Sequence, residues 1–478
     1  MADHLTPDLC IIGAGAGGLA VAVGARALGA SVVLVERNRM GGDRLNTGSV
    51  PSKALVEAAR HAQAMRNAAV YGIANDEPKV NFRRVHDHVQ EVVARLAPAD
   101  SVERLEALGV TVIGEDARFL DRRSLKAGEA VIRPRRFVVA TGSRPEIPAI
   151  PGLDTVPYFT TETIFSNTRK LTHLLIVGGE PAALELAQAY RRLGSDVTVA
   201  APGRALPGSD PELAEVALRR MREEGVRILE DAAVAAIQAR PLGIGVTVRQ
   251  GERDEALDVS HVLVAAGRRA NLDDLDLDKA RIRFDRAEPH RLKLSGSLRT
   301  TNRRVYVVGD AAGGTPSAHA AAYQAEMVLR SALLGLPARV DAAILPQAVY
   351  CDPELAEVGL TEPQARQRLR TRYRVLRTAF SENDRARAGR AGEGLVKLVT
   401  EPGGRILGAG IVGPQAGELV SLFAFAIANR LSARHLATFV PPYPTLSEAA
   451  RRLGAEFARQ AGESPWQRRL LGVARLLP

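Results

Sequence analysis

A glycine-rich turn near the start of the chain constrains its fold more than any other feature. Gly13, Gly15 and Gly18 give the spacing GxGxxG, which follows the apolar run 9–12 and opens an alanine-rich helix. The first glycine makes a tight turn, the second lets the backbone approach a pyrophosphate, and the third packs helix against strand. Glu36 ends the next strand, where a carboxylate can accept hydrogen bonds from a ribose. The sequence therefore predicts a βαβ unit that binds a dinucleotide at a helix N-terminus.

A second strand, turn, helix and strand follow from residue 174 to residue 200. From about Pro346 the pattern changes to longer strands and amphipathic helices. We therefore predict an α/β fold with two Rossmann-like dinucleotide-binding domains and a C-terminal α+β domain. The predicted boundaries are 1–148 with 285–340 for the first domain, 149–284 for the second, 341–462 for the third and 463–478 for a tail.

Composition argues against several other classes of protein. The formal charge of +10 suits a nucleic-acid partner, but the basic residues are spread along the chain and only 4% of residues are aromatic. No apolar run reaches the ~18 residues of a membrane span, and the N-terminus has no basic signal region. Cys10 and Cys351 lie far apart, with no redox or zinc spacing. We expect a cytoplasmic protein with no nucleic-acid partner and no metal site.

The segment 41–53, GGDRLNTGSVPSK, resembles the flavin-proximal helix of the pyridine nucleotide-disulfide oxidoreductases. That family includes dihydrolipoamide dehydrogenase, glutathione reductase and mercuric reductase. The similarity continues along nearly the whole chain, and two segments look most like the mercuric reductase branch, at 319–325 and 380–386. The resemblance implies an FAD-binding first domain, an NAD(P)-binding-like second domain and a dimerisation domain that makes a homodimer.

The resemblance also implies roles for individual residues. Glu36 would hold the adenosine ribose of FAD, Lys53 would lie beside the flavin, and Glu185 would pair with that lysine. An ordinary surface ion pair is the alternative for Lys53 and Glu185. Asp310 would bind the ribityl chain, and the backbone of Ala318 and His319 would lie near the flavin ring. The remaining implied FAD-binding positions are Gly13, Gly15, Gly18, Arg37, Gly42, Ala117, Thr141 and Gly142.

The chain departs from the family at the redox disulfide, whose two positions are Arg44 and Ser49. Neither residue can form a disulfide, and the hydroxyl of Ser49, with its far higher pKa, does not replace a thiolate. We therefore expect no disulfide reduction by the family mechanism. Ser49 stays a candidate catalytic residue because of its position.

A second departure lies at 443–448, YPTLSE, where the family's reductases have a His-Pro-Thr-x-x-Glu acid/base pair. Tyrosine titrates near ~10, so Tyr443 cannot act as a thiol base at neutral pH without a large shift. It could still donate a hydrogen bond to a bound acceptor; the alternative is a dimer-interface residue with no catalytic part. Tyr443 and Glu448 are the remaining catalytic candidates.

The third departure concerns the electron donor. The second glycine motif is interrupted by Glu180, whose side chain obstructs the approach to a pyrophosphate and whose charge repels it. Pro181 lies where the family has the residue that covers the nicotinamide pocket. After the next strand, only Arg204 could reach a 2′-phosphate. These residues argue against ordinary NAD(P)H binding.

The tail carries Trp466, Leu470, Val473 and Leu477 at the spacing of one helical face. Such a helix either packs on its own dimer or lies in a membrane interface, which would make the protein peripheral at the membrane and bring quinones within reach.

Three functions remain open at this point. The first is an FAD-dependent oxidoreductase that passes electrons directly between the flavin and a non-disulfide small molecule, a quinone or a small organic substrate. The alternatives are a soluble pyridine nucleotide transhydrogenase or NAD(P)H-dependent reductase, and a non-catalytic flavin-bound scaffold or sensor dimer. Metal reduction is less favoured, because the C-terminal cysteine pair of mercuric reductases is absent.

Overall fold

The structure is a computed structural model that describes residues 4–74, 76–314, 316–462, 469 and 472–475. Most of the predicted tail, 463–478, lies outside the described residues. The chain divides into two compact units, of which the first comprises 1–178, 192–200 and 232–340. The second comprises 179–191, 201–231 and 341–478. The predicted α/β class is confirmed, and the predicted domain boundaries stay predictions.

A five-stranded parallel sheet forms the centre of the first unit. Its strand order is Val305–Val307, Arg136–Val139, Leu9–Ile12, Val32–Val35 and Val110–Ile113. All four residues of Leu9–Ile12 are buried, because a parallel sheet is covered on both faces, and such strands read as unbroken apolar runs. The helix Ala16–Ala27 connects two neighbouring strands and packs against the helix Ala318–Ala332. The first predicted βαβ unit is therefore confirmed.

The first unit contains a second parallel sheet. Its strands lie in the order Tyr158–Thr160, His261–Val264, His173–Val177 and Asp196–Ala200. An antiparallel sheet of Ala232–Arg240, Gly243–Gln250 and Arg253–Val259 follows along the chain. The other strands are His4–Leu5, Ala117–Phe119, Leu125–Ala127, Ala130–Ile132, Ser143–Pro145 and Arg268–Ala270, and the other helices are Gly42–Asn46, Ser49–Arg66, Phe82–Leu96 and Val102–Ala107.

The second unit is built on a five-stranded antiparallel sheet. Its order is Gln347–Val349, Glu354–Gly359, Ile406–Gly413, Leu395–Thr400 and Arg374–Ala379. The fully buried rings of Phe380, Phe423 and Phe457 belong to the core that this sheet forms with its helices. The remaining elements are the strand Val226–Leu229 and the helices Pro181–Arg192, Pro211–Glu223, Glu362–Leu369, Asp384–Ala388, Ala416–Ala428, Ala433–Thr438 and Glu448–Gly462. No helix among the described residues is both long and apolar enough to cross a membrane.

The second unit contains a cluster of charged side chains centred on the buried Lys397. The Nζ atom of Lys397 lies 2.9 Å from Asp210, 2.8 Å from Glu212 and 2.7 Å from Glu362. The side chain of Lys397 is 4% exposed. The cluster joins the N-terminus of the helix Pro211–Glu223 to the sheet, because Lys397 lies in the strand Leu395–Thr400.

Glu357 lies beside this cluster, where its Oε1 atom accepts a hydrogen bond from the backbone N–H of Asp210 at 2.9 Å. Burial raises the pKa of Glu357 to about 7, from an ordinary value of 4.5. The folded protein therefore binds the carboxyl proton of Glu357 more tightly than the unfolded chain does. The contribution of this protonation to stability is complete below pH 4.5 and is lost as the pH rises through about 7.

We expect Glu357→Gln to remove this pH dependence. Between pH 5 and pH 8 the parent should lose up to about 3 kcal/mol of unfolding free energy that the variant retains. Urea unfolding midpoints of both proteins across this range measure the difference. Parallel pH profiles for parent and variant would contradict the assignment.

Candidate functional site

The first glycine turn has the geometry that a pyrophosphate requires. Gly13 has φ +105°, and a Cβ atom there would collide with the carbonyl oxygen of Ala140. A Cβ atom at Gly18 would collide with the carbonyl oxygen of Gly13. At Gly15, by contrast, an added Cβ would meet none of the described atoms within 4 Å. The first and third glycines are thus required by close packing, and the second leaves open space for a phosphate.

Glu36 is fixed beside this turn. Its Oε2 atom accepts from the backbone N–H of Ala14 at 2.6 Å, and its Oε1 atom accepts from that of Asn38 at 2.7 Å. The next residue, Arg37, lies 3.1 Å from Asp274 and 3.5 Å from Asp116. The bond to Asp274 raises the pKa of Arg37. The ribose role of Glu36 fits this geometry, whereas Arg37 is already engaged with two carboxylates.

The segment that carries the family's redox positions lies directly on the glycine turn. The backbone N–H of Gly41 donates to the carbonyl of Ala14 at 3.0 Å. Gly42 has φ +55°, and a Cβ atom there would approach the Cα atom of Gly15 to 2.7 Å. Gly42 therefore lies against the dinucleotide turn, and its role in binding FAD stays a prediction.

Arg44 and Ser49, which the resemblance puts at the family's two redox positions, have different environments. The guanidinium of Arg44 donates a short hydrogen bond to Asp100, whose side chain is only 11% exposed. Ser49 is exposed and is the first residue of the helix Ser49–Arg66. An ion pair thus occupies the predicted first redox position. Cys10 and Cys351 are buried in the cores of their units, and burial raises the pKa of both thiols.

Asp310 belongs to a polar cluster around Arg268. The Oγ atom of Ser143 donates to Asp310 at 2.5 Å, and the Nε atom of Arg268 donates to the same Oγ at 2.8 Å. Arg268 also lies 3.2 Å from Glu162 and 3.6 Å from Asp43. Burial raises the pKa of Glu162, against the opposing effect of Arg268. The sequence analysis gave Asp310 as a site residue but did not indicate this cluster.

Four further predicted FAD-binding residues lie in the first unit. Ala117 is buried at the start of the strand Ala117–Phe119. The Oγ1 atom of Thr141 is buried with no hydrogen-bond partner in the described part of the chain. The carbonyl of Gly142 accepts from the backbone N–H of Asn271 at 2.9 Å. Ala318 begins a helix whose cap, Ser317, accepts from the N–H of Ala320 at 3.2 Å.

His319 is the exposed second residue of that helix, with Nε2 3.4 Å from the Oγ of Ser317. The helix is tied to the Gly309 turn, because the N–H of Gly309 donates to Gln324 at 2.7 Å. This bond joins the second turn of the helix to the residue that precedes Asp310. The backbone role implied for Ala318 and His319 stays a prediction.

Lys53 and Glu185 belong to different units. Lys53 is half-buried in the helix Ser49–Arg66, one turn after Ser49. Glu185 is 4% exposed, and its Oε1 atom accepts from the backbone N–H of Tyr350 at 2.9 Å. Burial of Glu185 disfavours an ordinary surface ion pair. The pairing of Lys53 with Glu185 stays a prediction.

Tyr443 is 74% exposed, and its hydroxyl donates to the Oδ2 atom of Asp384 at 2.9 Å. The phenol proton is thus directed at a carboxylate of the same chain, and the catalytic role of Tyr443 stays a prediction. Glu448 lies 3.5 Å from Arg452 through Oε1. Its buried Oε2 has no hydrogen-bond partner among the residues described. The bond from Tyr443 to Asp384 was not indicated by the sequence.

The second glycine motif keeps only part of the first motif's geometry. A Cβ atom at Gly178 would collide with the carbonyl oxygen of Ala265, as at Gly13. Glu180 is exposed immediately before the helix Pro181–Arg192, and its carbonyl accepts from the N–H of Ala183 at 2.9 Å. Pro181 suits the first helical position, where no N–H is needed. Arg204 is exposed.

Comparison with known proteins places these features in a family. The sequence profile described as pyridine nucleotide-disulphide oxidoreductase matches residues 7–325, and that of the family's dimerisation domain matches residues 345–453. The chain belongs to this family, and it is a flavoprotein oxidoreductase. The dimerisation domain supports the predicted homodimer. FAD is the cofactor of the family, and NAD(P)H is its usual electron donor.

Among curated relatives, a mercuric reductase from Streptomyces lividans is 33% identical, over 95% of this chain and 97% of that protein. A dihydrolipoyl dehydrogenase from Bacillus subtilis (strain 168) is 31% identical, over 92% of this chain and 94% of that protein. Among solved structures, the HOCl-induced flavoprotein disulfide reductase RclA from Escherichia coli has a TM-score of 0.83 at 25% identity, covering 94% of this chain and 99% of its own. LpdA from Mycobacterium tuberculosis has a TM-score of 0.86 at 24% identity, covering 95% of this chain and 99% of its own. This likeness supports the fold.

The residues of the first unit fit FAD. Among the described residues, space is open at Gly15 and the Oγ1 of Thr141 has no hydrogen-bond partner. The carboxylate of Glu36 is held at the turn, and that of Asp310 offers a further polar group in the same unit. When bound, FAD supplies two-electron redox chemistry that no side chain of this site can supply.

Proposed function

We propose that this chain is an FAD-dependent oxidoreductase whose flavin exchanges electrons directly with a small non-disulfide partner, a quinone or a small organic substrate. One observation carries the proposal: at the first redox position, Arg44 forms an ion pair with the buried Asp100. The second position is an exposed serine, and the only two cysteines of the sequence are buried elsewhere. No thiol of this chain can relay electrons from the flavin to a disulfide substrate.

Counting electrons tests the missing relay directly. An FAD accepts about two electrons, and a redox disulfide would accept about two more. Anaerobic titration of the purified holoprotein with dithionite should therefore end at about two electrons per FAD. An endpoint of about four would overturn the proposal.

The acceptor is tested on the reduced protein. Stopped-flow mixing with a benzoquinone should reoxidise the flavin rapidly, whereas oxidised lipoamide should leave it reduced. Reoxidation by lipoamide would restore disulfide reduction as the function. Flavin exchange with both NADH and NADPH, but not with quinone, would favour the transhydrogenase. Failure of every donor and acceptor would favour the scaffold or sensor dimer.

We also propose that Glu180 weakens the binding of NAD(P)H. Glu180 takes the position at which Gly15 leaves open space in the first motif, so both its side chain and its charge oppose a pyrophosphate. We expect Glu180→Gly to bind NADH about tenfold more tightly, as measured by equilibrium titration. Glu180→Gln keeps the bulk without the charge, and it should recover only part of the gain. Equal affinity in all three proteins would show that Glu180 does not obstruct the site.

The homodimer and the peripheral membrane contact are further parts of the proposal. The contact depends on the tail 463–478, most of which lies outside the described residues. Co-sedimentation with anionic vesicles, compared between the full chain and a chain ending at Gly462, measures it. Equal sedimentation of both proteins would remove membrane contact from the proposal.

A further inference from the structure

The carboxylate of Asp310 lies at the same edge of the first parallel sheet as the glycine turn. Gly13 directly follows the strand Leu9–Ile12, and Asp310 follows the strand Val305–Val307. Only the strand Arg136–Val139 lies between these two strands. The carboxyl ends of parallel strands meet at one edge of a sheet, where open α/β folds bind their ligands. Asp310 is therefore at the ligand-binding edge of this sheet.

The helix that follows the glycine turn contacts the segment that carries Asp310. A Cβ atom at Gly17, in the first turn of the helix Ala16–Ala27, would approach the Cγ2 atom of Val308 to 2.9 Å. The backbone of Asp310 is fixed as well, because its carbonyl accepts from the N–H of Gly313 at 3.0 Å. Asp310 thus comes two residues after a contact with the helix whose N-terminus is predicted to bind a pyrophosphate.

The hydroxyl of Ser143 can direct its proton only at Asp310. The Nε atom of Arg268 donates to the Oγ atom of Ser143 at 2.8 Å, because a guanidinium can only donate. The single hydroxyl proton then goes to the Oδ2 atom of Asp310, at 2.5 Å. Ser143 is 9% exposed, so little water competes for these bonds. Ser143 therefore holds Asp310 through a hydrogen bond whose direction is set by Arg268.

The second carboxylate oxygen of Asp310 is left for a ligand. Within the described part of the chain, the Oδ1 atom of Asp310 accepts no hydrogen bond, and the side chain is 20% exposed. A carboxylate only accepts hydrogen bonds, so the complementary group is a donor and not a phosphate. FAD carries such donors in the hydroxyl groups of its ribose and of its ribityl chain.

We propose that Ser143 is a positioning residue for FAD: its hydroxyl orients the carboxylate of Asp310 so that Oδ1 accepts from a hydroxyl group of the cofactor. Ser143 acts through Asp310 and requires no contact of its own with FAD. The inference rests on the proposed function for its cofactor alone, since it concerns the binding of FAD and not the exchange of electrons.

The experiment measures how fast the diluted holoprotein releases FAD, from the fluorescence of the free cofactor. Ser143→Ala should release FAD about tenfold faster than the parent, because the carboxylate of Asp310 is no longer held in one orientation. Ser143→Thr keeps the hydroxyl and should release FAD at the parental rate. Ser124→Ala is the matched control and should also behave as the parent. The buried Ser124 lies in the same unit, and its Oγ atom likewise donates to a carboxylate, that of Asp121, at 2.8 Å.

A double-variant cycle separates positioning from a purely structural role. If Ser143 acts through Asp310, Asp310→Ala should release FAD as fast as the double variant Ser143→Ala/Asp310→Ala. A further tenfold acceleration in the double variant would overturn the inference. Parental release from Ser143→Ala, or fast release from Ser143→Thr, would overturn it as well. Failure of the proposed function is distinguishable, because the release of FAD requires no turnover with quinone.

Discussion

Replacing Lys397 with methionine is expected to lower the free energy of unfolding by about 4 kcal/mol. The ammonium is 4% exposed and contacts Asp210, Glu212 and Glu362 within 2.9 Å. Because methionine retains most of the side-chain volume, the loss of unfolding free energy measures the contribution of the positive charge. Removing the cation leaves Asp210, itself 3% exposed, as an uncompensated buried carboxylate.

Urea or thermal unfolding midpoints measure this loss. Lys279→Met is the matched control, because Lys279 pairs with Asp276 at 2.9 Å with half of its side chain exposed. We expect no measurable change for that control, since exposed ion pairs contribute little. Similar midpoints for Lys397→Met and the parent would mean that the cluster contributes no net stability.

Restoring thiols at the two redox positions, in the double variant Arg44→Cys/Ser49→Cys, is expected to cost about 3 kcal/mol of stability. The loss arises because Asp100, with 11% of its side chain exposed, loses its cation. Adding Asp100→Asn should recover most of the loss, since the amide carries no charge to be compensated. Unfolding midpoints are measured under reducing conditions for the parent, the double variant and the triple variant with Asp100→Asn. We expect the double variant to be the least stable and the triple variant to lie near the parent.

The same double variant has a redox consequence. If the new cysteines form a disulfide, the endpoint of the dithionite titration should rise from about two to about four electrons per FAD. A double variant that is as stable as the parent would contradict the role of the Arg44 ion pair. The single variant Ser49→Cys leaves that ion pair intact and is the control for stability.

The sequence predicted those parts of the fold that local spacing determines. The turn at Gly13 to Gly18, the following helix and the returning strand lie where the motif indicated, because collisions at Gly13 and Gly18 exclude any larger side chain. The family resemblance gave Gly42 only as an FAD-binding position, and its close approach to Gly15 is seen in the structure.

Side-chain partners far apart in the sequence could not be predicted in this way. Asp100 lies 56 residues from Arg44, and Ser143 lies 125 residues from Arg268. No periodicity links such positions, so only the packed structure brings them together. The hydrogen bond from Tyr443 to Asp384 was missed for the same reason, since the two residues lie 59 positions apart in the sequence.

The buried cysteines have a practical consequence for how the protein meets reactive chemicals. Alkylating agents and heavy metals attack thiolates, and burial both shields Cys10 and Cys351 and raises their pKa values. With an arginine and a serine at the positions of the reactive pair, the flavin site offers such poisons no sulfur to attack. If the flavin exchanges electrons without a thiol relay, as proposed, we expect its activity to be insensitive to thiol-directed reagents.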